Sequence, residues 1–318
     1  MTQYDRITLG RQAKELGFVR DTFEKVCRLV DVLSFMSGDP VLSGSLALKG
    51  GTAINLAFFD LPRLSVDIDL DYARDVPRDT MLEERTLITD HIKKYMAANG
   101  YSLSPRSKQY HALDSFVYEY INAGGMRDNL KIEINYMLRC HVLPVCFRGI
   151  ALPWSDETRT VLCVDPLEIF AAKSVALMNR AAARDLYDMY NLEEKGLLDF
   201  ASKAIFRQSI IFYTAIASEH APEHFSFDAI DGITERKIRT DLTPVLRSAS
   251  HFQLEKAREK VKAYLKDILL PEGDMLFWRN FAEGQYRPEL LFEDPEILEN
   301  IKAHPMAIWK CEKNAGNK

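Results

Sequence analysis

Three aspartates at alternate positions, Asp67, Asp69 and Asp71 in "SVDIDLDY", are the residues whose spacing speaks most directly of chemistry. On a strand, alternate side chains share a face. Ser65 and the three carboxylates would therefore point one way, and Val66, Ile68, Leu70 and Tyr72 the other. Like charges on one face repel, and aspartate is a poor strand former. Something cationic has to offset the row. Magnesium suits it, being held commonly by one or two carboxylates together with substrate phosphates. Two such ions would clamp the attacking and leaving oxygens of a phosphoryl transfer. The same row also suits a solvated edge strand, where charge deters edge-to-edge pairing.

Gly50, Gly51 and Thr52 precede the aspartates in "LALKGGTAIN". Glycine lets a backbone approach a ligand closely, and a helix starting there would aim its first N–H groups at an anion. Thr52 adds a hydroxyl and could cap that helix. Taken alone, the pair of glycines is also what a plain turn requires. One helix apart, the two features together bring triphosphate, metal and carboxylates into one small space.

A further acid is available in "LKIEINYML", where Glu133 shares a strand face with Lys131 and Asn135. It could serve as a third metal ligand, as a base, or as the partner of Lys131. In "AAKSVALMNRAAARDLYDMY", Lys173, Arg180 and Arg184 fall in a narrow stripe if the helix is uninterrupted. Such a stripe suits a triphosphate, with Lys as a point charge and Arg as a fork. It would equally suit a solvated face. Asp185 lies about 120° away on that helix. It joins the stripe only if the chain bends near Ala181–Ala183 and Asp185 begins and caps a new helix.

Several elements must position these residues. "FVRDTFEKVCRLVDVLSFMS" spaces Phe23, Val26, Val30 and Leu33 as one helix face, stopped by Gly38, Asp39 and Pro40. A short apolar strand then reaches Gly50 and Gly51. Residues 52–59 read as a helix, 65–73 as the acidic strand, and 82–99 as a polar helix. "DSFVYEYIN" and "KIEINYMLR" are strands separated by a Gly124-Gly125 turn. From Pro166 onward strand signals fade, and residues 166–196, 201–220 and 252–270 read as helices. An α+β N-terminal part and a helical C-terminal part are expected.

Composition bounds the partners. The 318 residues carry 47% hydrophobic and 27% charged residues with a formal net charge of −5, which predicts a globular protein with a sizeable core. Any nucleic acid would be held by a local patch, not by an overall basic surface. No apolar run reaches the roughly 18–20 residues that span a bilayer, and "MTQYDRITLG" has no signal-like pattern. A cytoplasmic protein without membrane partners is expected. Five scattered cysteines form no Cys-x-x-Cys pair, so neither a disulfide framework nor a zinc ribbon is expected. Cys140, His141 and Cys146 in "CHVLPVC" read as buried thiols and a histidine without a second ligand pair.

The combination of "LKGGTAIN", "RLSVDIDLDY", "KIEINY" and "DPLEIFAAKSVALMNRAAARDLYDMYNL" resembles the AbiEii/AbiGii-type nucleotidyltransferase toxins of type IV toxin–antitoxin and phage abortive-infection systems. The resemblance covers most of the chain. It implies a DNA-polymerase-β-like nucleotidyltransferase core over residues 1–160 and a helical C-terminal domain over 161–318 that contributes Lys, Arg and Asp to the active site. By that likeness Gly50, Gly51, Thr52 and Ser65 line the nucleotide phosphates, with Arg180 and Arg184 in support. Asp67 and Asp69 hold Mg2+, for which Mn2+ could substitute. Lys173 contacts the triphosphate, Asp185 is a further essential acid, and Glu133 is the third-acid candidate. The implied substrate is a nucleoside triphosphate and the implied acceptor the 3′ end of a tRNA, with arrest of translation and growth as the result. A cognate antitoxin protein is the implied partner. A protein or small-molecule acceptor, or a nucleotide-binding protein without turnover, are the alternatives.

Overall fold

The structure is a computed structural model that describes residues 4–150, 152–155, 159–217, 224–269 and 275–316. The chain forms two compact units. The first comprises Met1–Arg139, Val145–Val164 and Pro244–Ser250, and the second Cys140–Pro144, Asp165–Thr243 and His251–Lys318.

In the first unit, helices α1 (Arg6–Leu16) and α2 (Arg20–Gly38) lead into strand β1 (Leu46–Lys49). A short helix α3 (Gly50–Ala53) continues as a π-helical turn, Ile54–Phe58, before β2 (Asp67–Tyr72) and helix α4 (Arg78–Ala98). Strands β3 (Ser102–Leu103), β4 (Lys108–Gln109), β5 (Leu113–Ile121), β6 (Arg127–Asn135), β7 (Cys146–Ile150) and β8 (Arg159–Cys163) follow. Among the described residues they form one eight-stranded mixed sheet in the order β3-β5-β6-β2-β1-β8-β7, with β4 also on β5. β1 runs antiparallel to β2 and parallel to β8, while β2 runs parallel to β6.

The expected alternation decides which face of the sheet is apolar. Ile68, Leu70 and Tyr72 of β2 are buried together with Ile132 and Ile134 of β6. α2, whose Phe23, Val26, Val30 and Leu33 are all buried, packs against β8 and β6. α4 is tied to β2 where the Tyr72 hydroxyl donates to Glu84 at 2.6 Å. Residues 244–250 strap the loop ahead of β2. Leu64 N–H donates to the Val245 carbonyl at 2.8 Å, Arg63 pairs with Leu246, and the Arg247 guanidinium reaches the Leu61 carbonyl at 3.2 Å.

Boundaries differ from the sequence expectation where local chemistry intervenes. The acidic strand starts at Asp67 instead of 65 because Ser65 still belongs to the strapped loop. The polar helix starts at Arg78, directly after Pro77, whose fixed φ is compatible with a helix entry. The glycines form the first turn of α3 instead of ending the strand.

The second unit is helical: α5 (Pro166–Asn179), α6 (Ala183–Glu194), α7 (Phe200–Ala217), α8 (Asp228–Asp231), α9 (Glu235–Lys237) with a π turn Ile238–Leu242, α10 (Leu254–Leu269), α11 (Met275–Ala282), α12 (Pro295–Ile301) and α13 (Pro305–Gly316). Positions 218–220 and 270 of the helices expected from the sequence lie outside the described residues. α5 starts as its sequence dictates. The Asp165 carboxylate caps it by accepting from Leu167 N–H at 2.9 Å, and Pro166 occupies the first helical position. α5 packs on α6 and α7, and α10 on α6, around Phe170, Leu177, Leu186, Met189, Phe206 and Phe212.

The 140–144 segment is pinned to this core. Glu168, 2% exposed, accepts from Leu143 N–H at 3.0 Å, pairs with His141 Nδ1 at 2.9 Å and accepts from the Tyr213 hydroxyl. Cys140 is buried and Cys146 half-buried, and all five cysteines are free thiols.

Candidate active site

In the first unit the glycine turn and the acidic strand are locked together. Gly50 has φ of +67°, in the left-handed region that favours glycine, and a Cβ there would lie 2.5 Å from Asp69 Oδ2. A Cβ on Gly51 would lie 2.7 Å from Arg63 Nη2 and 2.9 Å from Ser65 Oγ. Thr52 does not cap α3. That helix is entered from Lys49 without a side-chain cap, and the fully buried Thr52 hydroxyl donates to the Asp67 carbonyl at 2.5 Å. Asn55 closes the loop, donating to the Gly51 carbonyl at 2.7 Å and accepting from Arg63 N–H at 3.3 Å. Gly50, Gly51, Thr52, Ser65, Asp67 and Asp69 are thereby gathered where β1 ends and β2 begins, in the middle of the sheet.

The strand register sorts the carboxylates. Lys49 stands beside Asp69, and Asp67 and Asp69 stand beside Lys131 and Glu133. Asp71 is 3% exposed and offset by Lys49, whose ammonium lies 2.5 Å from its Oδ1. Asp67 and Asp69 are half-buried and reachable. Glu133, the expected third acid, carries the Lys131 ammonium at 2.9 Å. Burial works against the Lys131 charge, but Glu133 first and then Asp67 and Asp69 outweigh it and raise its pKa.

A divalent ion fits this donor set. Among the described residues no three acidic, His or Cys side chains gather closely enough to form a cage. Asp67 and Asp69 are the two-carboxylate kind of site that magnesium completes with phosphate oxygens and water.

In the second unit the expected single helix is broken. Arg180 ends α5 in extended conformation, φ −139° and ψ 136°, and Ala182 opens α6, φ −102° and ψ 117°. The break lets two cations reach one acid. Asp185 lies in the first turn of α6, where a carboxylate is favoured by the helix dipole, but it does not cap the helix. Its Oδ1 accepts from Lys173 Nζ at 2.9 Å and its Oδ2 from Arg180 Nε at 3.0 Å. Lys173 also lies 3.0 Å from Asp188, which is fully buried.

The basic stripe of an unbroken helix is therefore replaced by a cluster of Lys173, Arg180, Asp185 and Asp188. Arg184 points elsewhere, its Nε donating to the Asp241 carbonyl at 2.7 Å. Lys237 of α9 donates to the Ala181 carbonyl at 2.8 Å, holding the break from outside.

Sequence reasoning passed over Arg63 and Asp188. Arg63, 2% exposed, sits against the glycine turn and donates to the Leu64 carbonyl at 2.9 Å. The signal for Asp188 was its spacing, three residues after Asp185 and so on the same helix face.

A family model described as "Nucleotidyl transferase AbiEii toxin, Type IV TA system" matches residues 34–284, which include every residue of both clusters. The chain belongs to the AbiEii nucleotidyltransferase toxin family. As an AbiEii protein it is a nucleotidyltransferase of a type IV toxin–antitoxin system, with a nucleoside triphosphate as substrate and an antitoxin as partner. The fold agrees. The nucleotidyltransferase toxin MenT4, Rv2826c from Mycobacterium tuberculosis H37Rv, superposes with a TM-score of 0.65 at 16% identity, covering 95% of this chain and 99% of that one. This is the expected nucleotidyltransferase core with a helical C-terminal part. CdnC of E. coli MS115-1, solved with ATP, also matches over 91% of this chain and 95% of its own, at 14% identity, but its TM-score of 0.25 carries no weight. No curated protein matches the chain. No helix among the described residues is long and apolar enough to cross a membrane.

Proposed function

We propose that this AbiEii protein is a magnesium-dependent toxin that transfers a nucleotide to the 3′ end of a tRNA and so arrests translation and growth. Manganese would substitute for magnesium. The observation that carries the reading is the lock between Gly50 and Asp69, which places two reachable carboxylates beside a glycine turn. The tRNA acceptor rests on the family likeness.

The acceptor hydroxyl oxygen attacks the α-phosphorus of the triphosphate. The bond from that phosphorus to the bridging oxygen breaks and pyrophosphate leaves, while the hydroxyl proton passes to a general base, for which Asp185 and Glu133 are the two candidates. Asp67 and Asp69 would hold the metal, which when bound offsets charge developing on the phosphate oxygens. Gly50 and Gly51 admit the phosphates close to the backbone, and the first N–H groups of α3, which have no partner within the helix, face an anion. Ser65 is held beside Gly51 as a hydroxyl donor. Thr52, with its hydroxyl committed to Asp67, fixes the start of the acidic strand.

In the second unit, Lys173 and Arg180 supply positive charge for the triphosphate, and Asp185 and Asp188 orient them. Arg180, whose side chain is 68% exposed, has the wider reach. Positioning and charge neutralisation are the catalytic resources of such a site.

Asp67→Ala and Asp69→Ala test the assignment. Each is expected to stop pyrophosphate release, as EDTA is expected to do in the wild type, with an unchanged far-UV circular dichroism spectrum. Full activity in either variant would remove these residues from metal binding.

A further inference from the structure

We propose that Lys131 is a built-in counter-ion that weakens divalent-cation binding in the nucleotide-free protein and keeps Glu133 out of the coordination shell. The inference rests on the reading of Asp67 and Asp69 as the metal carboxylates.

β2 and β6 run parallel with Asp67 beside Lys131 and Asp69 beside Glu133. Neighbouring strands lie about 4.8 Å apart, and register partners share a face. The Lys131 ammonium sits 2.9 Å from Glu133 Oε2 and within Coulombic reach of both aspartates. Asp71 is already paired with Lys49. A cation entering between Asp67 and Asp69 therefore meets the positive charge of Lys131 and a third carboxylate that is already engaged.

The consequence is order of binding. Without nucleotide the site attracts a divalent ion weakly. A triphosphate brings enough negative charge to outweigh Lys131, so the ion arrives with its nucleotide. A cage with three open carboxylates would instead hold the ion permanently.

The test is Mn2+ binding to the purified, nucleotide-free protein, followed by electron paramagnetic resonance of the free ion. Lys131→Gln is expected to tighten Mn2+ binding about five- to tenfold, the scale of one unit charge removed from a half-exposed site. Glu133→Gln is expected to weaken it, because Lys131 is then released toward Asp67 and Asp69. In the Lys131→Gln background the Glu133→Gln effect should grow at least threefold, since Glu133, no longer engaged by Lys131, is then free to join the coordination shell beside Asp69.

Unchanged or weaker binding in Lys131→Gln would overturn the proposal. So would a Glu133→Gln loss equal in both backgrounds, which would make Glu133 a metal ligand even with Lys131 in place. Asp69→Ala separates this from the underlying reading. If that variant still binds Mn2+ like wild type, the metal assignment itself fails. If it loses Mn2+ while Lys131→Gln changes nothing, only the counter-ion proposal fails.

Discussion

A methyl group at Gly50 would meet the Asp69 carboxylate at 2.5 Å, on a backbone already in the left-handed region. Gly50→Ala is therefore expected to cost about 1–2 kcal/mol from backbone conformation alone. The carboxylate would also be pushed from its place, so transfer should fall further than stability does. Thermal unfolding and transfer rate measured on one preparation would show this, and wild-type values for both would contradict it. Lys173 illustrates the opposite coupling. Its ammonium lies 2.9 Å from Asp185 and 3.0 Å from Asp188, in a setting where the Asp side chains are 5% and 1% exposed. Breaking such a buried cluster by removing one partner costs about 3–5 kcal/mol. Lys173→Met is expected to lower the denaturant midpoint as well as abolish transfer. Loss of activity at unchanged stability would mean that the two aspartates do not depend on this lysine.

At the scale of elements, the alternation of "SVDIDLDY" and the apolar spacing of residues 23–33 were enough to place a half-buried strand and a packed helix. The break between α5 and α6 was legible only as a condition, the bend near Ala181–Ala183 that would let Asp185 join the basic residues, and nothing local required it. "RAAAR" is a good helix by propensity, and helical geometry counted along the sequence puts Arg184 beside Lys173. What ends α5 is tertiary: Arg180 and Lys173 converge on Asp185, Lys237 holds the Ala181 carbonyl, and Arg184 turns to Asp241. Local propensity cannot record the Lys237 and Arg184 contacts, made with residues more than fifty positions away. The register that seats Lys131 beside Asp67 was hidden for the same reason, since a sequence does not state which strands pair.

The pin on the 140–144 segment carries a pH dependence. Burial by itself would raise the Glu168 pKa, but the His141 charge and its hydrogen bond, the Leu143 N–H and the Tyr213 hydroxyl together hold it below the ordinary 4.5. A carboxylate with a depressed folded-state pKa stabilises fully above its unfolded value and loses that contribution as the pH falls through the folded one. The second unit is expected to lose stability progressively below about pH 4.5. A series of melting temperatures from pH 6 to pH 3.5 would measure it, with Glu168→Gln flattening that part of the curve. A variant with the wild-type slope would contradict the role of Glu168.

For the whole molecule, a net charge of −5 sets how an RNA acceptor can be held. A local patch making about three phosphate contacts to a single strand gives a shallow salt dependence. Apparent RNA affinity should fall roughly 20-fold between 50 and 200 mM salt, against the 10³ or more of a broad basic surface. A fall of that larger size would place the acceptor on a broad basic surface instead. The residues assigned to chemistry are distributed over both compact units, acids and glycines in the first and Lys173, Arg180, Asp185 and Asp188 in the second. The proposed activity is transfer of a nucleotide onto RNA. The most direct measurement incubates the full chain with magnesium, each α-labelled nucleoside triphosphate in turn and total tRNA in cell extract, and asks which polymer carries the label. Label on tRNA, absent with Asp69→Ala, is the expected result. Label on protein, or on tRNA equally with the variant, would contradict it.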